Sequence, residues 1–86
     1  MMDLSLSKPA EIVKLLCGRL RQERLSQQMT QANLAARAGV GVNTVSNLEA
    51  GRNVNFDSLV RVAMGLGFAG ELETLFKPKI ESLDDI

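Results

Sequence analysis

Asn43 and Asn47 stand four residues apart, and Val42 and Ser46 repeat that spacing beside them. On a helix these positions share one face. The side chains are short and uncharged, so the chemistry they offer is recognition. A carboxamide carries a donor and an acceptor in one plane, the pattern that the exposed edge of a nucleobase also presents. Asparagine is a poor interior helix former, so two on one face call for a reason other than propensity. Bond-breaking chemistry lacks its parts. The chain has no His, Tyr or Trp and one cysteine, so neither a catalytic triad nor a common zinc site can be assembled. No enzyme, metal site or cofactor is expected. Glu81, Asp84 and Asp85 read as a solvated acidic tail rather than a metal cluster.

The elements that must hold this face are all helical. No stretch alternates apolar and polar residues with β-branched or aromatic enrichment, whereas helical spacing appears five times between clear punctuation. Pro9 suits a first turn, and the first helix is expected from Pro9 to about Arg24, with Ile12, Leu16 and Leu20 as its buried stripe, widened by Val13 and Leu15 in the early turns. Cys17 is a small core or half-buried thiol with no activating neighbour. Thr30 is the expected N-cap of a second helix over about 30–38, with Leu34, Ala35 and Ala38 inward and Gly39 as its stop. The third helix spans about 41–50, with Val45 and Leu48 plugged onto the second and Val40 closing the space beneath the turn. Only about three residues separate the two helices, which forces a sharp angle. The fourth opens at Asn55 and carries Phe56, Leu59, Val62, Ala63 and Leu66 at core spacing. A short fifth holds Leu72, Leu75 and Phe76, and Pro78 closes it.

Length and composition suit one domain, 8–77, between an N-terminal arm (1–7) and an acidic tail (78–86) with spaced Ile80, Leu83 and Ile86. Net charge is zero, but its distribution is uneven. From Lys8 to Gly67 eight cations face four acids, a balance of +4; from Phe68 onward two face five, a balance of −3. A basic body with an acidic end favours an anionic partner for the body. No apolar run reaches the roughly 18 residues of a membrane span, and the first residues lack the order of a secretory leader. The single cysteine cannot form an intramolecular disulfide, so a reducing cytoplasm is the expected compartment.

The run from Met29 to Gly51 resembles the Cro and phage-repressor helix-turn-helix family, also called XRE-like. Its markers are Thr30-Gln31, Leu34-Ala35, Ala38-Gly39-Val40, Thr44-Val45-Ser46, Leu48-Glu49 and Gly51, followed by Leu59 through Leu66. The resemblance covers roughly Leu16 to Phe76. It implies an all-α, five-helix, lambda-repressor-like bundle that binds double-stranded DNA and regulates transcription, most often as a repressor. An antitoxin that binds a toxin protein and represses its own operon is the alternative. It further implies base reading by Val42, Asn43, Ser46 and Asn47 from the recognition helix, and phosphate contacts from Arg24, Gln31, Arg52 and Asn53. Arg24 and Glu49 would form a partly buried ion pair joining the first helix to the third. Two positions depart from the family: Gly41 stands where a Ser or Thr commonly caps the recognition helix, and Asn33 where a Glu is common. Glycine still caps, but a hydroxyl contact to phosphate is lost. A homodimer is expected, because one recognition helix reads few base pairs and two-fold symmetry doubles the site. Phe68, Leu72, Leu75 and Phe76 supply more apolar surface than so short a helix needs and form the expected interface, with core closure alone as the competing explanation.

Overall fold

Thr30 and Gly39 set the limits of the second helix by complementary devices. The Thr30 hydroxyl accepts from the Asn33 N–H at 3.0 Å, and Asn33 Oδ1 accepts from the Thr30 N–H at 3.2 Å. Asn33 thus performs the reciprocal half of a capping box. At the other end Gly39 adopts a left-handed φ of +69°, and the Val40 N–H reaches back to the Ala35 carbonyl at 3.0 Å. That reversal delivers the chain to the next helix within three residues.

The computed structural model describes residues 4–79. A single 3-10 turn, Leu4–Leu6, precedes five helices: α1 Pro9–Ser26, α2 Gln31–Ala38, α3 Val42–Glu49, α4 Phe56–Gly65 and α5 Ala69–Thr74. There is no strand among the described residues, and none of their helices is long and apolar enough to cross a membrane. The all-α, five-helix expectation holds. Most of the acidic tail, with Ile80, Glu81, Leu83, Asp84, Asp85 and Ile86, lies outside the described residues, as does the start of the arm.

The core is assembled from α1, α2, α3 and α4 together. Leu34, Val45, Leu48 and Val62 are sealed from solvent, with Ala35 and Ala63 filling the narrow gaps. α2 packs on both α3 and α4, and α1 packs on α3. The α2–α4 approach is close: a Cβ on Gly65 would lie 3.2 Å from Leu34 Cδ1 and 3.3 Å from Ala38 Cβ. Small residues at this crossing let Leu34 reach the centre. α4 ends as α2 does, with Gly67 left-handed at φ +94° and the Phe68 N–H returning to the Ala63 carbonyl at 2.9 Å.

Three expectations need correction. The buried line of α1 is Val13, Cys17, Leu20 and Arg24, one residue (about 100°) around from Ile12 and Leu16. Leu16 is 42% exposed. Several apolar residues compete in this helix, and the line that wins is the one that turns Arg24 inward. Phe56 caps no core; it is 60% exposed, because the packed face of α4 begins only at Leu59. α5 stops at Thr74, so Leu75 and Phe76 leave the helix, and the chain turns at Phe76 with φ +57° before Pro78 is reached.

Truncating Leu34, which is fully enclosed, to Ala should cost about 2–5 kcal/mol of unfolding free energy. Leu16→Ala should cost less than about 1 kcal/mol, since much of that side chain already meets water. Chemical denaturation of the two variants side by side measures the contrast; equal losses would contradict the assigned rotation of α1.

Candidate nucleic-acid interface

α3 has two unlike faces. Val45, Leu48 and Glu49 point into the protein, while Val42 (46% exposed), Asn43 and Ala50 face solvent, with Ser46 and Asn47 half-buried between them. The helix starts at Gly41, whose extended backbone serves as N-cap without a side-chain bond. Neither Asn43 nor Ser46 makes a side-chain hydrogen bond within the described residues. Asn47 has one long contact, from Arg52 Nη2 to its Oδ1 at 3.5 Å. The four expected base-reading residues therefore share one partly accessible face, on which the side chains of Asn43 and Ser46 have no hydrogen-bond partner among the described residues and Asn47 has only the long contact from Arg52.

Behind that face lies the expected ion pair. Arg24 Nε donates to Glu49 Oε2 at 2.6 Å and Nη2 donates to Oε1 at 3.1 Å, a two-pronged contact between side chains only 9% and 3% exposed. The third guanidinium nitrogen, Nη1, donates to the Met29 carbonyl at 2.8 Å, and the Arg24 carbonyl accepts from the Met29 N–H at 3.1 Å. One side chain thus ties α1, the α1–α2 loop and α3. Gln31 joins the network, its Nε2 donating to Glu49 Oε1 at 3.0 Å. Burial pushes the Glu49 carboxyl up, but hydrogen bonds from Arg24 and Gln31, with the nearby charges of Arg24 and Arg21, hold it below the usual glutamate range. The bond to Glu49 raises the Arg24 guanidinium further, against burial.

Of the four expected phosphate contacts, the structure brings Gln31 to the first turn of α2 and Arg52 and Asn53 to the loop after α3, the latter two exposed. Arg24 is enclosed, with all three nitrogens donating inward. Sequence reasoning did not find the bond from Gln31 to Glu49. Nor did it find that Lys14 of α1 packs over Gly51, where a Cβ would come within 3.0 Å of Lys14 Cγ. Both contacts join residues far apart in the chain; the only local clue was the glycine itself, left-handed at φ +74°.

On the far side, α1, α4 and α5 leave a groove of about 250 Å³ lined mainly by Leu16, Leu20, Leu59, Phe68, Leu72 and Leu75, with Arg19 and Glu71 at it. Of the expected interface, Phe68 and Leu72 turn inward onto the core, whereas Leu75 stays partly exposed and Phe76 is 87% exposed.

Two short helices joined by a left-handed glycine, the second presenting an uncommitted polar face, define a helix-turn-helix DNA-binding domain. Residues 20–70 match the helix-turn-helix family of the Cro/C1 type, and the chain belongs to that XRE-like family. No curated protein matches the chain.

The ion pair should be strongly coupled. Glu49→Ala alone leaves a buried guanidinium unpaired and should cost about 3–5 kcal/mol. A double-mutant cycle with Arg24→Ala should be far from additive; additive losses would mean the pair contributes nothing. The sign of the pH dependence follows from the lowered Glu49 pKa. The folded state favours the carboxylate, so its stabilisation is present above the unfolded glutamate value of about 4.3 and is lost as pH falls through the lower folded value. The stability gap between the wild type and Glu49→Gln should narrow on acidification below that value, read by denaturation at a series of pH values.

Proposed function

We propose that this protein is a sequence-specific regulator of transcription, acting as a repressor, that sets α3 into the major groove of double-stranded DNA as a homodimer. The observation that carries the reading is the outer face of α3, where Val42, Asn43, Ser46 and Asn47 are at least partly accessible and almost free of internal bonds. Asn43 and Asn47 would match the N6 and N7 of adenine, and Val42 would pack on a thymine methyl. Gln31, at the positive end of α2, would hold a phosphate, with Arg52 and Asn53 on the flanking backbone. Arg24 acts from behind, through Glu49, by fixing Gln31 and α3. The free, buried Cys17 suits a reducing cytoplasm.

The groove between α1, α4 and α5 supports the dimer. Its apolar lining, with Phe76 87% exposed just after Leu75 in the chain, offers the self-complementary apolar area that a two-fold interface uses. Arg19 and Glu71 make no ion pair or side-chain hydrogen bond within the described residues, so each could face the other residue across a dyad. Sedimentation at micromolar concentration should show a dimer, weakened by Arg19→Glu and restored by Arg19→Glu combined with Glu71→Arg. A monomer with and without DNA would overturn the dimer. A stoichiometric foreign protein on the same surface after purification from native cells would favour the antitoxin reading.

Selection from random duplexes tests base reading. No lysine or arginine lies on α3, so bidentate recognition of guanine by a long cation is absent and the contacted positions should be rich in A·T pairs. Asn47→Ala should cost about 1–3 kcal/mol and relax preference at one or two base pairs. Arg52→Ala should weaken all sequences alike. An unchanged selected motif after substitution of both Asn43 and Asn47 would remove base reading from this face.

A further inference from the structure

The cations of the described residues divide by what they touch. Arg24 is committed to Glu49, Arg61 pairs with Asp57 at 2.7 Å, and Lys77 pairs with Glu73 at 3.7 Å. Arg19 lines the apolar groove of α1, α4 and α5, and Arg37 lies at the α2–α4 cleft and donates to Met29 Sδ. Five exposed cations remain with no ion-pair partner among the described residues: Lys8 and Lys79 near the two ends of the described chain, and Lys14, Arg21 and Arg52 around the C-terminal end of α3. Neither α3 nor the first turn of α2 carries a cation of its own.

Two of the last three belong to one face of α1. Lys14 lies over Gly51, with its Cα 3.6 Å and its Cγ 3.0 Å from where a Cβ on that glycine would stand. Arg21 follows two turns later, near enough to Glu49 for its charge to favour the ionised carboxylate. Between them is Gly18, and beyond its chain neighbours and the nearby backbone of α1 no atom lies within 4 Å of the Cβ it lacks. A side chain of ordinary length here would fill the space between the cations; glycine leaves a shallow trough.

We propose that Lys14, Gly18 and Arg21 form a phosphate-binding strip on α1, continuous with Arg52, that carries the backbone of double-stranded DNA past the C-terminal end of α3. The inference rests on the DNA-binding reading and extends the contact to a helix outside the helix-turn-helix. Seven residues of helix rise about 10 Å. That exceeds the axial rise of about 3.4 Å per phosphate of one DNA strand, so the two cations would meet different phosphates. Point charges on a helix side can hold phosphates but read no bases, so the strip would supply affinity and orientation and leave sequence choice to α3. It also gives a source for the electrostatic attraction that the uncharged recognition face cannot provide.

A competing role is purely structural, since cations near a helix C-terminus offset its dipole. A salt series separates the two. The full-length wild type, Lys14→Gln/Arg21→Gln, Lys14→Arg/Arg21→Lys and, as a control away from this face, Arg37→Gln would each be titrated with a short mixed-sequence duplex while thermal melting is followed without DNA. Glutamine keeps the Cβ and Cγ with which Lys14 covers Gly51 and removes the charge. The expected result is a log–log salt slope shallower by roughly 2 per bound protomer for the double glutamine variant, with the slope kept by the charge-preserving variant and by Arg37→Gln. A slope unchanged in the double glutamine variant, or equally shallow in Arg37→Gln, overturns the strip while leaving DNA binding intact. Lost affinity that follows a lowered melting temperature, with the slope unchanged, assigns these residues the structural role and also overturns it. A flat response in the wild type itself overturns both this inference and the DNA-binding reading.

Discussion

A guanidinium and a carboxylate withdrawn from water must find each other with good geometry, because an unpaired charge in that position costs several kcal/mol. Arg24 and Glu49 meet this condition through two parallel contacts, and much of the surrounding structure follows from it. For Arg24 to face inward, α1 must turn Val13, Cys17 and Leu20 inward with it, and Ile12 and Leu16 are carried toward the surface. For Glu49 to face inward at the end of α3, Val45 and Leu48 must share its side and Asn43 must lie on the other. Gln31 and the Met29 carbonyl then use the donor and acceptor capacity that the pair leaves over. No buried side-chain polar atom among the described residues lacks a partner. The ionic contact adds less in net stability than its distances suggest. What it sets is register: the rotation of one helix and the attachment of another.

The helix-turn-helix itself depends on small residues. Ala35 is enclosed, and Ala38 meets Gly65 where α2 approaches α4. This closeness lets a domain with three phenylalanines and no larger aromatic residue build a dry centre from Leu34, Leu48, Val45 and Val62. Because those inner contacts hold α3 from one side only, its other side carries little structural duty. A surface relieved of packing can be varied in sequence without loss of the fold, which is a useful property in a family whose members must recognise different sites.

Charge is arranged on a different principle from hydrogen-bonding capacity. The face that would read bases is neutral, and three uncommitted cations stand beside it on α1 and in the loop after α3. Phosphates attract such cations over several ångströms, whereas base edges must be met at hydrogen-bonding distance by short, fixed groups. Placing the two functions on separate elements lets long flexible side chains seek phosphates without crowding the groove. The Glu49 carboxylate, which would otherwise repel a phosphate backbone, is neutralised in place by Arg24.

Much of this protein could be read from local signals. Thr30, Gly39, Asn55 and Gly67 mark helix ends because caps and left-handed turns are determined within a few residues. The inward positions Leu34, Val45, Leu48 and Val62 follow from helical period, and the four residues of the outer α3 face follow from the same period. The Arg24–Glu49 pair came from family resemblance rather than from spacing. Tertiary structure decided the rest, since it concerns which of several locally equivalent choices meets a partner. α1 offers more than one apolar line, and the one that is buried is the one that also carries Arg24 to Glu49, 25 residues away. Phe56 and Leu75 carry the right spacing for a core, yet one precedes the packed stretch of its helix and the other follows the end of its own. The place of Lys14 over Gly51, the hold of Glu49 on Gln31 and the apolar groove between α1, α4 and α5 all arise where distant segments meet, and no periodicity within one segment encodes where its neighbours will lie.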